Sequence, residues 1–198
     1  MSKQDREKWN KRYSENSYHK NNPVTLVEEW LPKLPVGRAL DVACGAGRMS
    51  LLLAQAGFQV DAIDISQKGL SQARQKADDQ GFDINWIEHD LDEPYQFDSD
   101  YDLIIVMWYV DLALISRLCD CLAPGGYMIC EEHLITDQQV TGPKNSNFRV
   151  ASGKLREAIS ELDVLLYEES INLNSEGEQV ASARVVAHLK GTEPEGSG

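Results

Sequence analysis

Three carboxylates follow one another around a glycine turn in the first half of this 198-residue chain. Asp41 opens the run Asp41-Val42-Ala43-Cys44-Gly45-Ala46-Gly47-Arg48, Asp64 lies in Asp61-Ala62-Ile63-Asp64-Ile65-Ser66, and Asp90 in Trp86-Ile87-Glu88-His89-Asp90-Leu91-Asp92. Glycines two apart let a strand turn sharply into a helix, bring backbone close to a ligand and leave helix N–H groups free to meet it. An acid ending the second strand, 23 positions after Asp41, is placed to grip a ribose diol. Asp90, directly after the third strand, can accept a hydrogen bond from an adenine amino group. A lone Gly-x-Gly also serves as a plain strand-to-helix turn, any single acid here can be a cap or a solvated loop residue, and Asp90 taken alone reads equally as one of these. Acids ending three consecutive strands point to a ligand, because that edge is where open α/β sheets bind them.

A dinucleotide and another adenosine cofactor would use this frame differently. The dinucleotide pattern wants Gly or Ala three positions after the second glycine, where Ser50 stands. Asp41 would lie near the pyrophosphate, and a carboxylate about 4 Å from a phosphate costs on the order of 4 kcal/mol at an effective dielectric near 20. Beside a cationic amino acid or a sulfonium the same interaction is favourable. Asp41 therefore argues for S-adenosylmethionine, with S-adenosylhomocysteine as product.

The elements that must hold these residues alternate between strand-like and helix-like patterns, which predicts an α/β fold with a mainly parallel sheet. Helices are expected at 4–14 and at 24–34, the second ended by Pro35. A strand over 38–43 runs into the glycine turn, followed by a helix with Met49, Leu52, Leu53 and Ala56 on one face. Strands are expected at 58–65, 84–88, 101–107 and 127–131. Ser66 caps a helix that carries Leu70, Ala73 and Ala77 and ends at Gly81. A helix over 112–122 stops at Pro124-Gly125-Gly126, another follows at 152–162, and strands at 164–172 and 181–189 form an antiparallel pair. The tail 191–198 holds no apolar residue and is expected to be disordered.

Composition narrows the classes. The 42% hydrophobic content permits a packed core. Lys and Arg number 19 against 32 Asp and Glu, a formal net charge of −13, which disfavours phosphate backbones and anionic lipid. The expected partner is a small molecule, neutral, cationic or a soft nucleophile, and neither nucleic acid nor membrane. The N-terminal run MSKQDREKWNKRY is neither a signal nor a transit peptide, and Leu103 to Val110 is too short to span a bilayer. Cys44, Cys119, Cys121 and Cys130 lack metal or disulfide spacing. Reduced thiols, no metal and a cytoplasmic location follow as expectations, with a monomer or homodimer.

In order along the chain, the Asp41 to Arg48 turn, the Asp61 to Ser66 strand end, the Asp90 loop, Tyr101-Asp102-Leu103-Ile104-Ile105-Val106 and Leu122-Ala123-Pro124-Gly125-Gly126 resemble the motifs of class I S-adenosylmethionine-dependent methyltransferases. Trp9-Asn10-Lys11-Arg12-Tyr13, Cys-Gly-x-Gly-Arg and Thr141-Gly142-Pro143-Lys144 resemble features of the small tellurite-resistance and thiopurine-type enzymes. The resemblance runs to about Lys190 and implies one domain over 1–190: a Rossmann-like, doubly wound, seven-stranded sheet, mostly parallel with the last strand antiparallel. It implies cofactor contacts from Arg12, Tyr13, Asp41, Cys44, Gly45, Gly47, Arg48, Asp64, Ile65, Asp90, Leu91 and Met107. The chain departs from the group at Met49, where Asn is frequent, and Met107-Trp108-Tyr109-Val110-Asp111 is diagnostic of no substrate class.

Methyl transfer is an in-line displacement at an already activated carbon, so positioning and exclusion of water carry most of the catalysis. A general base is needed only for an acceptor that is protonated at neutral pH. Asp111 and His133 are the candidates, with Glu131 and Glu132 nearby. For His133 a surface or hydrogen-bonded structural histidine is the better reading, while Trp108 and Tyr109 read equally as pocket wall or core. Trp9, Arg12 and Tyr13 share one helical face, which predicts that helix 4–14 is a lid over the ligand, against the alternative of a permanently packed stripe. A nicotinamide oxidoreductase of the short-chain type would need Tyr-x-x-x-Lys, which no tyrosine here satisfies. A non-catalytic module that binds S-adenosylmethionine or a partner protein would carry the same motifs and remains the alternative.

Overall fold

The computed structural model describes residues 3–15, 25–174 and 176–191. The tail beyond Gly191 and most of the Ser14 to Pro23 loop lie outside the described residues. Two compact units divide the chain: residues 1–97 with 105–107, and residues 98–104 with 108–198.

The first unit contains α1 (Lys3–Ser14), α2 (Thr25–Trp30), β1 (Arg38–Val42), α3 (Arg48–Gln55), β2 (Gln59–Asp64), α4 (Gln67–Gln80) and β3 (Ile84–Glu88). Pro32 follows α2 within a short 3-10 turn, Leu31–Lys33, so the helix is shorter than the span expected at 24–34. β1 and β2 pair in parallel with Val42 opposite Ile63, and β2 and β3 with Asp64 opposite Glu88. The strand ends that carry the acids are thereby brought level. Ser66 caps α4 by accepting from the Gly69 amide, and Gly81 closes it in the left-handed conformation, as the residue types dictate.

β4 (Tyr101–Met107) is apolar and fully buried from Leu103 to Val106, as a strand covered on both faces requires. The second unit adds α5 (Leu112–Cys119), β5 (Leu122–His133), α6 (Lys154–Ala158), β6 (Asp163–Leu173) and β7 (Gln179–His188). β7 is antiparallel to both β5 and β6. The seven strands follow the order β3-β2-β1-β4-β5-β7-β6, a Rossmann-like arrangement.

The structure corrects the expected ends of three elements. α5 stops at Cys119 and β5 begins at Leu122, so Pro124-Gly125-Gly126 lies inside a strand instead of before one. The Gly125 amide donates to Leu189 O at 2.8 Å, and the Leu189 amide donates to Gly126 O at 2.9 Å. A Cβ on Gly126 would come within 2.6 Å of Tyr101 O, so the missing side chain is what lets this stretch pass close to its neighbour. α6 is also shorter than the expected 152–162, because the chain leaves it through a turn at Ile159. Among the described residues no helix is long and apolar enough to cross a membrane.

Candidate functional site

β1 delivers the chain into a turn with Ala43, Gly45 and Gly47 all at positive φ. The Cys44 amide donates to Ile63 O at 3.0 Å and the Gly47 amide to Cys44 O at 2.9 Å, which ties the turn to the end of β2. A side chain at Gly47 would lie 2.6 Å from Ala73 Cβ and 2.7 Å from the Trp86 ring, so the turn is packed against α4 and β3.

Asp64 accepts the Gly45 amide at 2.8 Å on one oxygen and the Ser66 amide at 2.7 Å on the other. It is 7% exposed, and burial raises its pKa against the lowering effect of these two bonds. Each oxygen retains a second lone pair for a ligand hydroxyl. Asp41, only 1% exposed, accepts from the Ser50 hydroxyl at 2.5 Å. Burial pushes its carboxyl up to about 7. The Ser50 bonds oppose that rise and the Asp64 charge adds to it. Burial and the same two carboxylates raise the Cys44 thiol well above its ordinary value, which disfavours a reactive thiolate there.

The remaining residues named from sequence take varied places. Asp90 is half-buried and accepts from the Asp92 amide at 3.1 Å, which shapes its loop. Ile65 and Leu91 are buried. Arg48 is exposed at the start of α3, and Met107 is half-buried at the end of β4.

α1 brings Tyr13 to the turn: its hydroxyl stands where a Gly45 side chain would be, and the residue is buried. Arg12 lies over the Trp9 ring at 4.8 Å, and Trp9 stacks on Tyr13. Sequence reasoning missed how the helix is held. Asn10 Oδ1 accepts from the Ser66 hydroxyl at 2.8 Å and from the Lys68 amide at 3.1 Å, and Gln72 Nε2 donates to Tyr13 O at 2.9 Å. Asn and Gln on unrelated elements carry no pairing signal in sequence.

In the second unit the chain leaves β4 through Trp108, at φ +62. The Trp108 amide donates to Glu131 O at 2.8 Å and the Tyr109 amide to Glu132 Oε1 at 3.2 Å. Asp111 caps α5 through the Leu114 amide at 2.9 Å. Glu131 is paired with Arg184 at 2.9 Å. Glu132 is fully buried, its Oε2 has no partner among the described residues, and burial lifts its pKa well above the ordinary range. The His133 ring packs against Trp108 with ring centres 4.3 Å apart and the planes tilted by 40°. Among the described residues no cluster of His, Cys, Asp and Glu could hold a metal.

Residues 39–126 match the family described as "Methyltransferase domain". The ubiquinone biosynthesis O-methyltransferase of Bordetella bronchiseptica is 33% identical over 118 residues, which span 56% of this chain and 49% of that protein. The chain thus spans about half the length of such curated relatives. TehB of Haemophilus influenzae has a similar fold, with a TM-score of 0.73 at 20% identity, covering 91% of this chain and 67% of that one. NodS, an N-methyltransferase of Bradyrhizobium japonicum solved with S-adenosylhomocysteine, gives 0.71 at 15% identity, covering 93% and 97%. The family match over residues 39–126 and the likeness in fold agree on that part of the chain: it is similar to methyltransferase domains, on a sheet with the Rossmann-like strand order.

Proposed function

We propose that this chain binds S-adenosylmethionine on its first unit and methylates a small-molecule acceptor. The observation that carries this reading is the Asp64 carboxylate, held by the Gly45 and Ser66 amides at the mouth of the glycine turn, with Asp41 buried behind the same turn. The residues fit the cofactor. Asp64 retains lone pairs for two ribose hydroxyls, and buried Asp41 would be relieved by a neighbouring positive charge. When bound, the sulfonium supplies a methyl group already activated for displacement. The chain's own part is to hold the ligand, exclude water and align the acceptor, worth roughly 7–11 kcal/mol when well executed.

In this reading Tyr13 and Arg12 face the methionine end, Ile65 and Leu91 flank the base near Asp90, and Cys44, Gly45, Gly47, Arg48 and Met107 complete the contacts. α1 serves as the lid. The acceptor is a small molecule instead of a nucleic acid, the location cytoplasmic, and the protein a monomer or homodimer. Titration calorimetry with S-adenosylmethionine and S-adenosylhomocysteine, followed by a mass-spectrometric methylation screen over thiols, selenols, tellurite, amines and carboxylates, tests the whole reading. Binding without turnover of any acceptor would favour a non-catalytic module; no binding would end the proposal.

A further inference from the structure

β3 ends at Glu88, and the chain runs on through residues 89–97 without helix or strand. Backbone bonds shape the first part of this stretch. The His89 amide donates to Asp64 O at 3.1 Å, and the Glu93 amide to Asp90 O at 2.9 Å. The Asp92 amide donates to Asp90 Oδ1 at 3.1 Å. The later part folds back through its rings. His89 and Tyr95 lie with ring centres 4.7 Å apart, and Phe97 meets Tyr95 edge-on at 4.8 Å. His89 Nε2 stands 3.3 Å from Glu93 O, and since a carbonyl only accepts, that bond places the imidazole proton on Nε2. All of these residues belong to the first unit.

The rings work against the charge on the loop. Asp90, Asp92 and Glu93 put three carboxylates within four residues, and their mutual repulsion favours a more open chain. A segment without regular backbone pairing opens locally at low cost. The half-buried rings at 89, 95 and 97 draw the far end of the loop back onto the residue that precedes Asp90, and each ring pair is favourable. The His89–Glu93 bond spans the same turn into which the Asp90 carboxylate accepts. Closing the rings therefore fixes Asp90 before any ligand arrives.

We propose that the His89–Tyr95–Phe97 ring clasp positions Asp90, and that it sets the preference of the site for a base with an exocyclic amino group over one with a carbonyl there. This rests on the reading that places Asp90 beside the adenine of S-adenosylmethionine. An amino group donates to a held carboxylate, whereas a carbonyl at the same place sets acceptor against acceptor. A loosened loop lets Asp90 swing away from the carbonyl, and it must be re-ordered to meet the amino group. Discrimination falls from both sides.

The test is calorimetry on the full chain with S-adenosylhomocysteine and S-inosylhomocysteine, which carries the carbonyl. Wild type should prefer the adenosyl ligand by roughly tenfold or more, as for a hydrogen bond to a charged group. Tyr95→Leu removes both ring pairs and should cut that preference roughly fivefold or more, and Tyr95→Phe, which keeps the rings, should restore it. Amide hydrogen exchange at Asp92 and Glu93 should quicken in Tyr95→Leu by a similar factor, with exchange in β1 and β2 unchanged. In an Asp90→Ala background, Tyr95→Leu should leave the preference where it is, because the clasp acts through Asp90. Should Tyr95→Leu fail to fold, Phe97→Leu removes one pair and should cut the preference roughly two- to tenfold. Equal loss of both ligands, unchanged exchange at Asp92 and Glu93, or a further drop in the Asp90→Ala background would each overturn the proposal. Wild type that binds the two ligands equally would also overturn it while leaving the cofactor reading in place, and no binding of S-adenosylhomocysteine would end both.

Discussion

Asn10 caps a helix to which it does not belong: its side-chain oxygen accepts from the Ser66 hydroxyl at 2.8 Å, on the residue that also caps α4. Because Ser66 donates its amide to Asp64, and Asp64 accepts from Gly45, a continuous set of hydrogen bonds joins α1 to the glycine turn. Asn10→Ala should remove about 1 kcal/mol, as lost caps do, chiefly from the docking of α1. Tryptic cleavage after Lys11 and Arg12 should accelerate with little change in the global melting temperature, and S-adenosylhomocysteine should slow it in the wild-type chain. Identical cleavage in variant and wild type would show that Asn10 does not hold α1 in place.

Asp64→Ala deletes the acceptor of two backbone amides as well as the proposed ribose contact. Affinity for S-adenosylhomocysteine should fall by about 1.5–3 kcal/mol, the range for hydrogen bonds to a charged group. Calorimetry on wild type and variant checks it, with circular dichroism confirming that the fold survives. Undiminished affinity would show that this carboxylate serves the turn and not the ligand.

The features legible in the sequence were those encoded by neighbours. Asp41, Gly45, Gly47 and Asp64 announce themselves because a strand, a turn and a helix follow one another within a few residues, each with its own period. Ser66 and Gly81 mark the ends of α4 for the same reason. Pro124-Gly125-Gly126 misled because local breaker chemistry was overridden by pairing with Leu189, more than 60 residues away. Asn10 with Ser66, Gln72 with Tyr13, and Arg149 with Leu134 are also non-local, and polar side chains on different elements leave no periodicity to read. Glu132 and His133 were visible as residue types, yet their unpartnered buried atoms are a property of packing alone.

Gly142→Ala should destabilise the second unit. Its φ of +122 is unfavourable for any side chain, and the new Cβ would press on the His133 ring and the Arg149 guanidinium. A cost of about 1–3 kcal/mol is expected for such a strained residue. Thermal unfolding checks it, and a melting temperature equal to that of wild type would mean that the 141–150 segment gives way freely.

Asp41 gives stability a pH dependence whose sign follows from its burial. Its folded pKa stands at about 7, above the ordinary 3.8 that it regains on unfolding. Below pH 3.8 both states hold the proton. As pH rises, the unfolded chain releases it first, so stability falls until the folded carboxyl also ionises near 7, and then levels off. The raised pKa corresponds to about 4 kcal/mol lost across that window. Asp41→Asn keeps an oxygen for the Ser50 hydroxyl and removes the titration. The variant should therefore melt at a higher temperature than wild type at pH 8, with the difference shrinking towards pH 4. Ligand binding should respond in the opposite sense. Ionised Asp41 favours the sulfonium of S-adenosylmethionine over neutral S-adenosylhomocysteine, so wild-type preference for the former should grow as pH rises through about 7, and Asp41→Asn should abolish that growth. Paired melting curves and calorimetry at pH 5 and 8 read both effects. A variant that is less stable than wild type at both pH values, with an unchanged ligand preference, would refute the assignment of a buried, titrating carboxyl at this position.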